Sequence, residues 1–158
     1  MEAIEIRQYS ENDYEQVLLI FQIILEKMEE PILNVSFEEQ IKNIRKDYMD
    51  NGGQFLVALN GESIIAAGGF YKIKDSIIEI KGMRVSPESQ GQGLGGKILN
   101  RLESKAISMG YTKAVLDTIA ELPANKFYLN HGYLETHRDN VANMEFVFYE
   151  KELVSMGA

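Results

Sequence analysis

The stretch that decides the fold is Val85-Ser86-Pro87-Glu88-Ser89-Gln90-Gly91-Gln92-Gly93-Leu94-Gly95-Gly96-Lys97. Residues 77–85 before it predict a strand, and residues 94–109 after it have the apolar spacing of a helix. A helix exposes unpaired N–H groups at its start, and glycines allow an anion to approach them closely. The stretch therefore predicts an anion-binding loop, with Lys97 adding to the attraction for phosphate.

The composition indicates one ordinary globular domain, expected over residues 1–154 with a short tail at 155–158. The chain has 158 residues, of which 45% are apolar and 25% are charged. It has no cysteine, which excludes a disulfide scaffold, a cysteine-ligated metal site and a covalent thiol enzyme. The longest apolar stretch, residues 17–25, is too short to span a membrane. The acidic N-terminus does not resemble a secretory signal, so a cytoplasmic protein is expected.

The charge is divided unevenly along the chain. The net charge of −8 argues against broad binding to a nucleic-acid backbone. Residues 11–50 carry ten acids against four bases, whereas residues 72–113 carry eight bases against four acids. Two solvated faces of opposite sign would explain this pattern, and so would a basic region that binds a compact polyanion such as a phosphorylated cofactor.

The remaining pattern predicts alternating strands and helices. Two capping pairs, Ser10 with Asp13 and Ser36 with Glu39, predict the starts of two helices, and Asn60-Gly61 predicts a tight hairpin. The resulting order is β-α-α-β-β-β-α-β-α-β-β, which is a mixed α/β domain of the α+β type. Its strands are expected at residues 5–9, 55–59, 63–73, 77–85, 113–117, 133–136 and 144–153, with a polar loop before the last strand.

Two nucleotide-binding patterns fit parts of the glycine-rich stretch. Residues 91–97 match G-x-x-x-x-G-K, but Ile98 stands where a nucleotide triphosphatase needs Ser or Thr to bind magnesium. A dinucleotide pattern, G-x-G-x-x-G followed by an acid about twenty residues later, is formed by Gly91, Gly93, Gly96 and Asp117. Five residues separate the strand from the first of these glycines, however, and the dinucleotide turn has no such spacer. A dinucleotide-dependent oxidoreductase stays as an alternative.

A third pattern covers more of the chain. Gln90-x-x-Gly93-x-Gly95, preceded by Val85-x-Pro87, resembles the phosphate loop of the GNAT superfamily of N-acetyltransferases. A second stretch, residues 124–133 with the sequence ANKFYLNHGY, is similar to that family's Ala-x-x-x-Tyr-x-x-x-Gly-Phe signature. The order of elements is also that of the superfamily, so the resemblance implies a GNAT-like fold with a central, mostly antiparallel sheet flanked by helices.

The resemblance implies that acetyl-CoA is the co-substrate. By analogy, its pantetheine arm pairs with the backbone of Met83, Arg84 and Val85, and its pyrophosphate is held by the loop. The loop residues concerned are Gln90, Gly91, Gln92, Gly93, Leu94, Gly95 and Gly96. Lys97 is expected near the phosphates, with Arg101 on the same helix face. The family often has an Asn that contacts the cofactor at the position that is Glu121 in this chain. Asn125 is therefore expected to contact the pantetheine instead.

The implied reaction is attack by an amine on a thioester, by direct transfer in a ternary complex. Glu79 is the candidate acceptor for the proton of the amine, directly or through a water. Tyr128 matches the family's tyrosine that donates a hydrogen bond or proton to the departing sulfur. The two histidines, His131 and His137, have no carboxylate pair at ligand spacing, so no metal site is expected.

The acceptor is expected to be a small-molecule or peptide amine. The first two helices help to wall the acceptor site in the superfamily, and acids cluster at their junction in this chain, which favours a cationic amine. They are Glu26, Glu29, Glu30, Glu38 and Glu39. A non-catalytic acyl-CoA-binding module is the second alternative. A homodimer is left open, and neither a nucleic acid nor a membrane is expected as a partner.

Overall fold

The computed structural model describes residues 3–26 and 39–154. Its strands are β1 (Ile4–Gln8), β2 (Gln54–Asn60), β3 (Ser63–Lys74), β4 (Ile77–Val85), β5 (Lys113–Ile119), β6 (Leu134–Val141) and β7 (Met144–Glu152). Three α-helices have both ends in this part of the chain, namely α1 (Tyr14–Glu26), α2 (Leu94–Ser108) and α3 (Ala124–Asn130). The strands form one sheet in the order β1-β2-β3-β4-β5-β7-β6. The mixed α/β fold predicted from the sequence is thus confirmed.

Apolar side chains fill two clusters in which the helices pack with the sheet strands. Helix α2 contributes the apolar side chains that its spacing predicts to be inward, namely Ile98, Leu99, Leu102 and Ala106. Helix α1 contributes Val17, Ile20 and Phe21 to the second cluster. Burial of each large aliphatic or aromatic side chain stabilises the fold by about 1.5–3 kcal/mol. These two clusters hold the central strands in place, and residues of those strands line the candidate site.

The region before β2 agrees with the predicted helix in its burial pattern. Ile41, Ile44 and Tyr48 are buried and lie three and four residues apart, as on one face of a helix, and a π-helical turn spans Arg45–Met49. The predicted start of this helix at Ser36 lies outside the described residues, as do residues 155–158. No helix in the described part of the chain is long and apolar enough to cross a membrane.

The C-terminal hairpin corrects one prediction. Residues 137–143, expected to be a polar loop, belong mainly to β6, and Ala142 and Asn143 form the turn at φ of 53° and 65°. All eight residues of β6 are exposed because it is the edge strand, so neither of its faces shows apolar alternation. His137 therefore lies on a strand, where its ring stacks on Phe148 with centroids 4.3 Å apart.

Strands β4 and β5 separate along their length, and this separation creates the candidate site. Their parallel register covers three pairs, which end at Glu79 opposite Val115. Residues 80–85 of β4 have no partner on β5. A bulge in the same half of β4 sets Gly82 and Met83 against Gly68 of β3, and Gly82 has φ of +71°.

The register also removes one alternative. Among the described strands, β4 and β5 are the one parallel pair, and the other neighbours are antiparallel. A dinucleotide-binding fold needs a doubly wound, mostly parallel sheet. The dinucleotide interpretation of Gly91, Gly93, Gly96 and Asp117 is therefore not supported by this sheet.

Candidate active site

A cleft of about 400 Å³ lies between the separated ends of β4 and β5. Helix α3 and the β6–β7 turn also contribute to its walls. Most of its lining is apolar, which favours binding of an organic ligand with few charges. The polar side chains in the lining belong to Gln40, Lys81, Arg84, Asp117, Thr118 and Tyr128.

The exposed edge of β4 faces this gap. The Ser86 N–H donates to the Ile65 carbonyl of β3, at 2.8 Å. The Val85 carbonyl belongs to the same peptide unit and so points the opposite way, towards β5. It accepts a 3.1 Å hydrogen bond from Gln90 Nε2, and the Met83 carbonyl accepts one of 2.7 Å from Arg84 Nη1. Because residues 80–85 have no partner on β5, this edge can accept a further extended chain as a strand would, in place of these two side-chain contacts.

The glycine-rich loop forms a second pocket, of about 530 Å³, at the start of α2. Gly91 and Gly93 have φ of +80° and +79°, and a Cβ atom at either would meet nothing within 4 Å. These positions need glycine because of their backbone conformation, and they leave open space above the loop. Lys97 and Asn100 line the same pocket, whereas Gln92 is exposed and does not belong to its described lining.

Gly95 and Gly96 lie close to side chains of α3. A Cβ on Gly95 would lie 3.3 Å from the Phe127 ring, and a Cβ on Gly96 would lie 2.9 Å from His131 Nε2. Both contacts would be tight, so a side chain at either position would have to displace the Phe127 or His131 ring. The loop pocket and the cleft therefore share α3 as a wall.

Tyr128 lies in the cleft wall and is 7% exposed. Burial raises the pKa of Tyr128 to about 12, which the positive charge of Arg84 opposes and the negative charge of Asp117 reinforces. The Arg84 guanidinium lies 4.8 Å from the centre of the Phe21 ring, and burial lowers the pKa of Arg84 below its ordinary value. Tyr128 is thus a protonated hydroxyl in the cleft at neutral pH.

Glu79 lies where β4 and β5 are still paired, outside the described lining of the cleft. Its Oε2 accepts a 2.8 Å hydrogen bond from the Tyr71 hydroxyl and lies 3.3 Å from Lys81 Nζ. Burial raises the pKa of Tyr71, and the charge of Glu79 adds to this shift. Lys81 lines the cleft, so it connects Glu79 to the cleft wall.

Two polar groups in the cleft, on Asp117 and Gln40, are not among the residues that the sequence predicts for an acyltransferase site. Asp117 lines the cleft from β5 and has no hydrogen bond or ion pair with another described residue. Gln40 Oε1 is buried in the cleft wall and has no hydrogen-bond partner among the described residues. The signal for Asp117 in the sequence was its place at the end of the strand predicted for residues 113–117, where ligands bind in many α/β sheets. The sequence held no comparable signal for Gln40.

Asn125 is engaged by the protein itself. Its Nδ2 donates to the carbonyls of Ile119, Ala120 and Leu122 at 2.8, 3.1 and 2.8 Å. Its Oδ1 accepts a 2.7 Å hydrogen bond from the Tyr149 hydroxyl. Asn125 thus fixes the loop between β5 and α3, and its contact with a cofactor stays a prediction.

The predicted acidic cluster is described only in part. Glu39 and Asp47 line a groove of about 360 Å³ that shares Gln40 and Lys81 with the cleft. Glu26 ends α1, and Glu29, Glu30 and Glu38 lie outside the described residues. Within the described ranges, no group of three or more His, Asp or Glu side chains could hold a metal ion.

Comparisons with known proteins agree with this geometry. A model of the acetyltransferase (GNAT) family matches residues 18–133. A GNAT-family acetyltransferase from Staphylococcus aureus Mu50 has a TM-score of 0.82 at 22% identity, over 96% of this chain and 100% of that one. No curated protein matches the sequence significantly.

Two further solved structures of similar fold contain coenzyme A or acetyl-CoA. The PaiA N-acetyltransferase of Thermoplasma acidophilum, in complex with coenzyme A, has a TM-score of 0.75 at 18% identity, over 95% of this chain and 99% of that one. YncA of Salmonella typhimurium, a putative acetyltransferase with its cofactor acetyl-CoA, has a TM-score of 0.72 at 19% identity, over 99% of this chain and 98% of that one. At these identities the likeness establishes the fold.

Proposed function

Because the chain belongs to the GNAT acetyltransferase family, we propose that it transfers an acetyl group from acetyl-CoA to an amine, directly in a ternary complex. The observation that supports this proposal most strongly is that the gap between β4 and β5 lies next to the pocket of the glycine-rich loop. The absence of cysteine agrees with direct transfer, since an acyl-thiol enzyme intermediate cannot form.

The residues of both pockets fit a coenzyme A molecule. The open edge at Met83 and Val85 suits the amides of an extended pantetheine arm. The space above Gly91 and Gly93, next to the unpaired N–H groups of α2 and the charge of Lys97, suits a pyrophosphate. Arg101 lies in a neighbouring groove with Lys97, so it is a further candidate for the phosphates. When bound, acetyl-CoA supplies a thioester carbonyl for the amine to attack and a thiolate that leaves.

A carboxylate accepts the proton of the amine in this proposal. Asp117 lines the cleft with no partner among the described residues, which supports it as the direct acceptor. Glu79 is held by Tyr71 and Lys81, so it would act through a water. A positioned general base contributes about 10²–10⁴-fold to the rate.

Tyr128 stabilises the leaving thiolate by donating a hydrogen bond. A hydroxyl with a pKa of about 12 is a weaker acid than a thiol, whose ordinary pKa is about 8.5. Complete proton transfer from Tyr128 to sulfur would therefore be unfavourable. A hydrogen bond in a site from which water is excluded still stabilises the developing negative charge.

The acceptor is a cationic amine with an apolar body. Asp117 and Gln40 Oε1 are both hydrogen-bond acceptors in the cleft, and an ammonium group donates to such atoms. Glu39 and Asp47 add negative charge in the adjoining groove, where the positive charge of Lys81 is paired with Glu79. The apolar side chains of Met144 and Phe146 line the cleft near its β7 wall, and they suit the carbon skeleton of the amine.

Release of free thiol from acetyl-CoA tests the function. The protein is incubated with acetyl-CoA and a panel of arylalkylamines, polyamines, peptides with free N-termini and anionic amino acids. We expect amine-dependent thiol release, with preference for cationic amines that carry an apolar body. A preference for anionic amino acids would contradict the acceptor class, and hydrolysis independent of any amine would contradict acetyl transfer.

A further inference from the structure

His131 lies at the C-terminal end of α3, with one ring nitrogen engaged. Its Nδ1 is 2.8 Å from the carbonyl oxygen of Phe127, and its ring packs on the Phe127 ring with centroids 4.4 Å apart. A carbonyl oxygen can only accept a hydrogen bond, so Nδ1 carries a proton. In the neutral ring, Nε2 is then a bare acceptor, and it becomes a donor only when the imidazole is protonated.

The Nε2 atom faces the first turn of α2. A Cβ atom built on Gly96 would lie 2.9 Å from it, and the next closest atom, Cε1 of the same ring, would lie 3.5 Å away. The imidazole therefore occupies the space that a side chain at position 96 would use. Gly96 is the third residue of α2, where the backbone N–H groups have no partner within the helix.

His131 also lines the loop pocket together with Gly91, Gly93 and Lys97. In the described lining, Lys97 is the only other titratable residue. On the far side, Lys151 of β7 approaches Gly132 and forms a 2.8 Å ion pair with Glu103 of α2. On α3 itself, Lys126 is exposed. No acid belongs to the described lining of the loop pocket, so an anion bound there meets no negatively charged side chain of that lining.

We propose that His131 is a cofactor-binding residue, whose protonated Nε2 donates a hydrogen bond to the pyrophosphate of coenzyme A. The inference rests on the proposed function, because it assumes that this pocket holds that pyrophosphate. The neutral ring would turn a lone pair towards the anion, whereas the charged ring donates to it. Affinity for the cofactor is therefore expected to rise as the pH falls.

The test measures binding of dephospho-coenzyme A by calorimetry between pH 5.5 and pH 8.0. This probe lacks the 3′-phosphate, which would itself titrate near pH 6, so the pH dependence is simpler to assign. We expect the Kd of the wild-type protein to fall about tenfold from pH 8.0 to pH 5.5, as for a charge-assisted hydrogen bond. The variant His131→Asn, whose amide can still donate to the Phe127 carbonyl, should bind with a Kd that is nearly independent of pH.

The second histidine provides the matched control. His137 is exposed on β6 and stacks on Phe148, so His137→Asn should keep the wild-type pH dependence. A second variant, Gly96→Ala, displaces the imidazole and should weaken binding at pH 5.5 in the wild-type background. In the His131→Asn background the same change should have a smaller effect, because the clash with Nε2 is gone.

The outcomes separate the two proposals. Binding by wild-type protein with an unchanged pH dependence in folded His131→Asn would overturn the role of His131 and leave the proposed function intact. If Gly96→Ala changed the Kd by the same factor in the wild-type and His131→Asn backgrounds, the role of His131 would be overturned as well. If neither dephospho-coenzyme A nor coenzyme A bound to the wild-type protein at any pH, the proposed function would fail together with this inference.

Discussion

The hydroxyl of Tyr71 donates a 2.8 Å hydrogen bond to Oε2 of Glu79, and Lys81 Nζ lies 3.3 Å from the same oxygen. This carboxylate is already bound by two protein groups on the sheet. Asp117, in contrast, lines the cleft without a partner among the described residues. Of the two carboxylates proposed for the proton transfer, Asp117 is therefore available to bind the amine, whereas Glu79 is already engaged by Tyr71 and Lys81.

Replacement of each carboxylate by its amide tests this difference. We expect Asp117→Asn to lower kcat about 10²-fold or more and Glu79→Gln to lower it less, because Asp117 is the direct acceptor. The steady-state rate is measured from pH 6 to pH 9 with one amine. A larger loss for Glu79→Gln would show that Glu79 is the principal acceptor and would contradict our assignment.

Tyr128→Phe separates an enzyme from a non-catalytic binding module. The change removes one hydroxyl and keeps the buried ring, so we expect kcat to fall about 10–10²-fold with the Kd for coenzyme A changed less than about twofold. Tyr111→Phe is the control, because its hydroxyl donates to the Gly52 carbonyl away from the cleft. An unchanged kcat in Tyr128→Phe would exclude the proposed role of this hydroxyl.

Asn125→Ala should loosen the loop between β5 and α3. The variant loses the hydrogen bonds of both Nδ2 hydrogens, one of them shared between two carbonyls, and the bond to Oδ1. Each contributes about 1 kcal/mol, so a loss of about 2–3 kcal/mol in the free energy of unfolding is expected. Urea denaturation gives this value, with exposed Asn130→Ala as the control. If Asn125→Ala had wild-type stability and bound coenzyme A more weakly, the predicted contact with the cofactor would be supported instead.

Asp13 gives the fold a pH dependence. Two hydrogen bonds from Arg7, of 2.7 and 2.9 Å, hold the pKa of Asp13 below its ordinary value, and the Ser10 N–H adds another. An unfolded Asp has a pKa of about 3.9, so the stabilisation is complete well above that pH and is lost as the pH falls through the folded pKa.

Asp13→Asn should therefore be less stable than the wild type at pH 7, by about 1–3 kcal/mol, and the difference should shrink below about pH 4. Thermal unfolding from pH 3 to pH 7 measures it. Glu11→Gln is the control, since the ion pair of Glu11 with Arg45 is exposed and contributes less than about 1 kcal/mol. A stability difference for Asp13→Asn that stayed constant down to pH 3 would contradict this account.

Local signals predicted the parts of the fold that they determine. Asn60-Gly61 lies at the hairpin as expected, with Gly61 at φ of +64°, and the apolar spacing of residues 94–109 corresponds to α2. The sequence did not predict the length of β6, because an exposed edge strand needs no apolar alternation. The turn at Ala142 and Asn143 has no glycine, so it also lacked the usual hairpin signal.

The candidate site was predictable where a motif runs through neighbouring residues. The loop at Gly91 and Gly93 and the edge at Met83 and Val85 follow one another along the chain, and the resemblance covered both. Asp117 enters the site only because β5 separates from β4, which is a property of the whole sheet. The hydrogen bonds of Asn125 likewise depend on the path of a loop that the sequence does not specify.

The proposed function depends on binding of the acetyl-CoA pyrophosphate by the backbone of the glycine-rich loop. The most direct measurement is a titration of isotope-labelled protein with coenzyme A, followed through the backbone amide resonances of each glycine. We predict large, saturable shifts at Gly91, Gly93, Gly95 and Gly96, with little change at Gly61 and Gly110, which lie in turns outside both pockets. If the resonances of the four loop glycines did not move at saturating coenzyme A, the loop would not be the pyrophosphate site and the proposal would be wrong.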